Sequence, residues 1–225
     1  MKKTLIIIAV TLLLTVTNNC FAQSDPTQLS LSISKAYTQN LEELKKYVWK
    51  RKTDLYIDTQ RVATVTTDVS FDANGKPVVK VVDVQSYMDK KPGIRGNIQE
   101  NKAEEMADYY GKALQQSAQY LFMSKGDLVD FFDKAKIDET GVDLVVAAND
   151  VYVKGDELIL TVEKKTMLLK KQQYKTLMGA DPVNGDMTYK KYDNGLNTVS
   201  NMNISMPAKK LSGKATNYDF AKKLQ

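Results

Sequence analysis

Residues Trp49 to Val84 read WKRKTDLYIDTQRVATVTTDVSFDANGKPVVKVVDV, and the periodicity of this stretch decides the fold. Trp49, Leu55 and Ile57 fall on one face at a period of two, with Arg51 and Thr53 between them. Lys50, Lys52, Asp54 and Asp58 fall on the other face. Val65, Val69 and Phe71 mark a second strand. Asn74-Gly75 is a tight hairpin turn, and Pro77 to Val84 (PVVKVVDV) is a third strand. The stretch is a meander of long antiparallel strands.

Upstream, Asp25-Pro26 has the form of a helix start, with an N-cap and a proline at the first helical position. Leu29, Leu31 and Ile33 alternate with serines as a strand would. Yet Leu29, Ile33, Tyr37, Leu41, Leu44 and Val48 share a helical face, so a helix is expected from about Ser34 to Tyr47, with its start open. Downstream, Lys90 to Gly96 (KKPGIRG) reads as a loop. Two helices follow. One spans Ile98 to Phe122, with Met106, Tyr110, Leu114, Ala118, Leu121 and Phe122 along one stripe. The other follows a capping-box variant, Ser124 to Asp127, and carries Leu128, Phe131, Phe132 and Ala135 on one face. Further strands are expected at about Val142–Ala148, Val151–Val153, Glu157–Glu163, Thr166–Leu177, Asp186–Tyr192, Thr198–Met206 and Leu211–Asp219. Lys154-Gly155-Asp156, Asp181-Pro182, Asn184-Gly185 and Asn194-Gly195 supply the turns. Helix, three strands, two helices and six or seven strands predict an α+β domain with a large antiparallel sheet.

At the N-terminus, Lys2 and Lys3 precede the apolar run Leu5 to Val16. Cys20-Phe21-Ala22 then places small residues at −3 and −1 of a cleavage site after Ala22. Residues 1–22 are therefore expected to be a secretory signal peptide, and 23–225 a single domain in the periplasm, with outer-membrane association left open. The apolar run falls short of the about 20 residues a spanning helix needs, so no transmembrane span is expected in the mature chain. Lipidation of Cys20 is disfavoured, because Thr17 and Asn19 stand where a leucine-like and a small residue belong.

Cleavage removes two of 32 basic residues and none of 27 acidic ones, leaving 30 against 27, a net +3. The charge is spread along the chain, and no basic block with interleaved aromatics points to nucleic acid. The chain has no histidine, and its one cysteine is Cys20. Triads built on histidine, the usual zinc sites, the facial iron triad and histidine-ligated haem are thereby excluded. Carboxylate, lysine, tyrosine or serine chemistry and oxygen-ligated hard metals remain. No cofactor and no metal is expected.

Several phrases carry a family resemblance. Leu44-Lys45-Lys46-Tyr47-Val48-Trp49-Lys50-Arg51-Lys52-Thr53, Phe71 to Pro77, Met206 to Lys210 and Thr216 to Phe220 resemble an uncharacterised family of exported bacterial proteins. More distantly, the pattern is similar to the periplasmic lipoprotein carriers of the LolA/LolB-like superfamily, which serve outer-membrane lipoprotein sorting. The resemblance implies a strongly curved, incomplete β-barrel with about three helices on its concave side over an apolar cavity. It also implies acyl-chain binding, and no catalytic residue.

Candidate cavity residues on facing strands are Trp49, Leu55, Ile57, Leu144, Val146, Leu158, Leu160, Met167 and Leu169. Each has the alternative reading of plain core beneath the helices. Ser32-Ile33-Ser34-Lys35 has the S-x-x-K spacing of penicillin-binding enzymes, but the companion motifs are absent. Asp127, Asp130 and Asp133 read as a solvated helix face. Lys164, Lys165, Lys170 and Lys171 form a basic group suited to anionic head groups, or a solvated strand and turn.

Three functions follow from these features. The first is a non-enzymatic periplasmic binder of a lipid, acyl chain or other apolar ligand, in envelope lipid or lipoprotein handling. The second is an envelope protein–protein interaction or assembly module with a filled core, using a sheet edge or the basic turn. The third is a carboxylate- or lysine-based hydrolase or lyase. An apolar cavity of about 300 Å³ or more would favour the first.

Overall fold

The structure, a computed structural model, describes residues 25–88 and 94–223. The expected signal segment 1–22, with Cys20 and the cleavage point, lies outside the described residues.

The chain begins with α1 (Pro26–Leu44), in which the side chain of Asp25 caps the amide of Thr27 and Pro26 opens the first turn. Leu29, Ile33, Tyr37 and Leu44 are buried while Leu31 is exposed, which settles the ambiguous serine-rich start as helix. The helix ends before Tyr47, because the strand period takes over there. Val48, expected on the helical stripe, lies on the exposed side of β1 (Tyr47–Ile57). β2 (Gln60–Phe71) and β3 (Pro77–Ser86) complete the meander. Their hairpin turns at Asp72–Gly75, where Asp72 Oδ1 accepts from the amides of Asn74 and Lys76 and Gly75 takes φ +73°.

α2 (Ile94–Leu121) begins inside the segment expected to be loop, so Ile94, Arg95 and Gly96 are helical. One glycine in a helix costs only about 1 kcal/mol relative to alanine and does not by itself end one. α3 (Lys125–Lys134) carries a full capping box, with Ser124 Oγ accepting from Asp127 N and Asp127 Oδ2 from Ser124 N. β4 (Lys136–Asp138), β5 (Asp143–Asn149), β6 (Glu157–Glu163), β7 (Leu169–Met178), β8 (Asp181–Lys191), β9 (Asn197–Met206) and β10 (Leu211–Lys222) follow.

Four strand expectations change. The short β4 was not foreseen. Val151–Val153 is a bent loop rather than a strand, because the Asp156 carboxylate accepts all three of its amide protons, at 2.6, 3.0 and 3.2 Å. Thr166 and Met167 are turn, closed by Met167 N on Glu163 O at 2.8 Å, so β7 starts at Leu169. Asp181-Pro182 and Asn184-Gly185 are not turns but part of β8. The β7–β8 turn falls at Gly179, with φ +66°. Pro182 is tolerated because the β8–β9 ladder begins only at Asn184, leaving its missing N–H without consequence there.

All ten strands form one antiparallel sheet in the order β3-β2-β1-β10-β9-β8-β7-β6-β5-β4. The last strand returns beside the first, and the sheet is curved and open, with β3 and β4 as its edges. The helices pack on the inner face. Beneath them lies a continuous core that includes Ile33, Tyr120, Phe131, Leu144, Leu158, Leu160, Tyr174, Met187 and Ile204. A second cluster, Leu44, Tyr47, Trp49, Val69, Phe71 and Leu196, sits where α1 meets β1 and β2.

Candidate ligand-binding face

Strand register defines the inner face at the β1–β3 end. Directly opposed residues in an antiparallel pair share a face. Trp49 opposes Val69, Arg51 opposes Thr67, Thr53 opposes Val65 and Leu55 opposes Ala63. β3 adds Val79 beside Val69, Val81 beside Thr67, and Val84 beside Val65. Between Val81 and Asp83 the β2–β3 register slips by one residue, so Val82 is a bulge. The slip keeps Val79, Val81 and Val84 on the inner face and sends Lys80, Asp83 and Gln85 outward with Val78. The inner valines are nonetheless 52%, 57% and 59% exposed. Leu55 and Ile57, in the adjoining strand, are half-buried. Among the described residues, the helices cover the inner face well from β10 to β5 and leave this end open.

The nine residues expected to line a cavity divide accordingly. Leu144, Val146, Leu158, Leu160 and Leu169 are buried in the main core, and Met167 packs against it from the turn before β7 with φ +57°. Trp49 lies in the second cluster, stacked on Phe220 and tilted against Phe71. Leu55 and Ile57 border the open end. In the described residues, the cavity between α1, the end of α2 and β9 holds about 30 Å³, lined by Tyr37, Asn40, Leu121, Phe122, Tyr189 and Val199. That is room for one or two waters, far below the roughly 300 Å³ at which ligand pockets begin. Two larger depressions are open to solvent and lie away from that cavity: one of about 230 Å³ on the outer face, around Glu157, Gln173, Asp186 and Asn203, and a shallow one of about 310 Å³ around Asp58, Thr59, Pro207 and Lys210.

Two polar side chains enter the inner face near its open end. Arg51 is 7% exposed; its Nε donates to Asn217 Oδ1 at 2.9 Å, an atom that also accepts from Trp49 Nε1 at 3.2 Å. Asn217 in turn donates to Val199 O at 2.8 Å, which fixes the amide's orientation. Burial pulls the Arg51 pKa below its ordinary value. Tyr110, on α2, is 4% exposed and its hydroxyl has no hydrogen-bond partner among the described residues. Its ring lies against Gly213 of β10, where a Cβ would come within 2.0 Å of the hydroxyl. Burial raises the Tyr110 pKa, and the Arg51 charge works against that rise.

Arg51 had been visible in the sequence as a polar break in the Trp49–Leu55–Ile57 face, and Tyr110 as a stripe residue. Val79, Val81 and Val84 gave no such signal, because a run of valines reads as a buried strand. The other sequence candidates stay on the surface. Ser32 and Lys35 face solvent on α1, as do Asp130 and Asp133 on α3. The basic group pairs locally: Lys164 with Gly141 O at 2.7 Å, Lys170 with Asp143 at 2.7 Å and Lys171 with Asp186 at 2.9 Å. Among the described residues no three histidine, cysteine, aspartate or glutamate side chains converge as metal ligands, and no helix is long and apolar enough to cross a membrane.

No family model matches the chain, and no curated protein matches it. Solved structures to which it is similar include the following three. A DUF1329 family protein from Desulfovibrio piger aligns with TM-score 0.46 and 11% identity, over 89% of this chain and 95% of that one. An outer membrane lipoprotein-sorting protein domain from Vibrio parahaemolyticus aligns at 0.44 and 9%, over 89% and 95%. The third neighbour, a LolA superfamily protein from Nitrosomonas europaea, aligns at 0.41 and 8%, over 85% and 94%.

Proposed function

We propose that the protein is a non-enzymatic periplasmic binder of an elongated apolar molecule, of the acyl-chain class, in envelope lipid or lipoprotein handling. The ligand lies against the open inner face of β1–β3. The observation that carries this reading is the trio Val79, Val81 and Val84, each more than half exposed on a face whose other end is fully covered. It continues through Leu55 and Ile57, so an extended chain would meet apolar side chains on three adjacent strands. Buried apolar surface contributes about 25 cal/mol per Å², and an uncovered strand face is where such a gain is still available. Export rests on residues 1–22, with cleavage after Ala22; the intact mass of the periplasmic protein checks it.

Uptake of a fluorescent apolar probe, together with native mass spectrometry on gently purified protein, tests the reading. The native protein is expected to carry or take up acyl chains. Val81→Asp, at a site that contributes little to the core, should weaken uptake about tenfold or more, as one buried charge on an apolar face would. Recovery of empty protein with no probe uptake would overturn the reading.

A second reading is favoured by a different observation: among the described residues, β3 is a ten-residue edge strand pairing on one side only. A strand from an envelope protein would pair there through its backbone. Co-purification of such a partner with protein that takes up no probe would select this alternative.

A further inference from the structure

Arg51 is the only cation among the buried polar side chains of the described residues, and no described carboxylate pairs with it. A buried charge without a counter-charge is costly and persists where something else compensates it. Asn217 supplies one acceptor, to Nε alone, while a guanidinium has five N–H donors in a planar fork. The buried anion among the described residues shows the contrast. Asp156 accepts from Tyr120 at 2.6 Å and from three backbone amides, so its needs are met within the protein.

A second polar group, the Tyr110 hydroxyl, is buried without a partner among the described residues, and it feels the Arg51 charge. Burial keeps this phenol protonated, so it is an O–H donor at neutral pH. The inner face beside Arg51 is floored by small residues. Thr53 opposes Ala215 in the β1–β10 ladder, and Leu55 opposes Gly213. A cation fork and a neutral hydroxyl, both donors, therefore adjoin the apolar strip of Leu55, Ile57 and the β3 valines.

We propose that Arg51 and Tyr110 form a head-group site for one carboxylate, so that the ligand is an acyl chain bound as its free acid anion. The proposal rests on the apolar-binder reading above. It adds the polarity and charge of the ligand's head. One guanidinium matches one carboxylate in charge and in bidentate geometry, and the phenol supplies a third hydrogen bond.

The test compares cis-parinaric acid with its methyl ester by fluorescence titration of the delipidated mature protein at pH 8. The native protein is expected to bind the acid at least about tenfold more tightly than the ester, the scale of one charge-assisted hydrogen-bonded pair. Arg51→Met should abolish the preference, bringing the acid's affinity down to that of the ester. Tyr110→Phe, which removes a hydroxyl that bonds to nothing described, should reduce the preference with the fold intact by thermal unfolding. Equal binding of acid and ester by the native protein overturns the carboxylate site and leaves the apolar-binder reading standing. Binding of neither overturns both. If lysophosphatidylcholine of matched chain length displaces the probe better than oleate does, and Arg51→Met removes that advantage, the head is a phosphodiester and the carboxylate assignment falls.

Discussion

Gly185 and Asp156 show how single residues set this fold. Gly185 sits in mid-strand, and a Cβ there would lie 2.1 Å from the Tyr174 ring. That ring stacks on Tyr120 of α2 at 4.4 Å, and its hydroxyl bonds to Ser117. The glycine therefore lets β8 pass beneath the aromatic pair that seats α2 on the sheet. Gly185→Ala should lower the stability measured by urea unfolding by about 1–3 kcal/mol, the usual cost of overpacking. Asp156→Ala strips the acceptor from three loop amides and a tyrosine and should cost at least about 3 kcal/mol in the same assay. Neither role was legible in the residue strings. Asn184-Gly185 has the letters of a hairpin turn, and only the approach of a distant ring reveals why the glycine is there. Asp156 reads as an ordinary turn aspartate until its loop is seen to fold around it. Arg51 was half legible, since an arginine on an otherwise apolar strand face already asks for an explanation.

Among the elements, β6 was legible to the residue and the cap of α1 and the box of α3 were legible from their letters, because local chemistry dictates them. Ser124→Ala should cost about 1 kcal/mol by removing the acceptor for the Asp127 amide. β3 is the opposite case. Its inner face is defined by the bulge at Val82, and a strict period of two from Val79 would put Val84 on the wrong side. Bulges follow from pairing with β2, which no single strand's sequence displays. Because Val81 and Val82 are twins, deleting one of them restores regular register without turning any inner valine outward. That shortened protein is expected to retain probe uptake and to keep its unfolding free energy within about 0.5 kcal/mol, as surface changes generally do. Loss of uptake with the fold intact would mean that the bulge itself shapes the site.

At the scale of the whole molecule, helices and sheet divide the work. Among the described residues, the inner face from β5 to β10 is a filled core, and at β1–β3 the same sheet continues as an apolar surface left open. The class of fold was legible from the order of helices and strands, but the uneven cover was not, since it depends on where α2 crosses. That crossing is set by Tyr109, whose hydroxyl donates to Asp181 Oδ2 at 2.6 Å, and by Tyr110 over Gly213. Burial, then the Asp181 carboxylate, push the Tyr109 pKa up to about 12. Burial likewise raises Tyr37, Tyr110, Tyr120, Tyr152, Tyr174 and Tyr189. For a raised pKa the unfolded chain ionises first, so these groups' contribution is complete below about pH 10 and declines as pH rises beyond it. The urea midpoint is expected to be level with respect to these tyrosines up to about pH 10 and to fall steadily from there through 12. A midpoint unchanged across that window would contradict the packing of the phenols.

On the proposed function, an apolar chain lies on the open β1–β3 face and not inside the core. Methyl-resolved NMR of the mature protein with a spin-labelled stearate reads that place directly. Binding at that face should strongly broaden the Leu55, Ile57, Val79, Val81 and Val84 methyls and leave those of Val146, Leu158 and Leu160 sharp. Broadening of the core methyls, or of none at all, would contradict it.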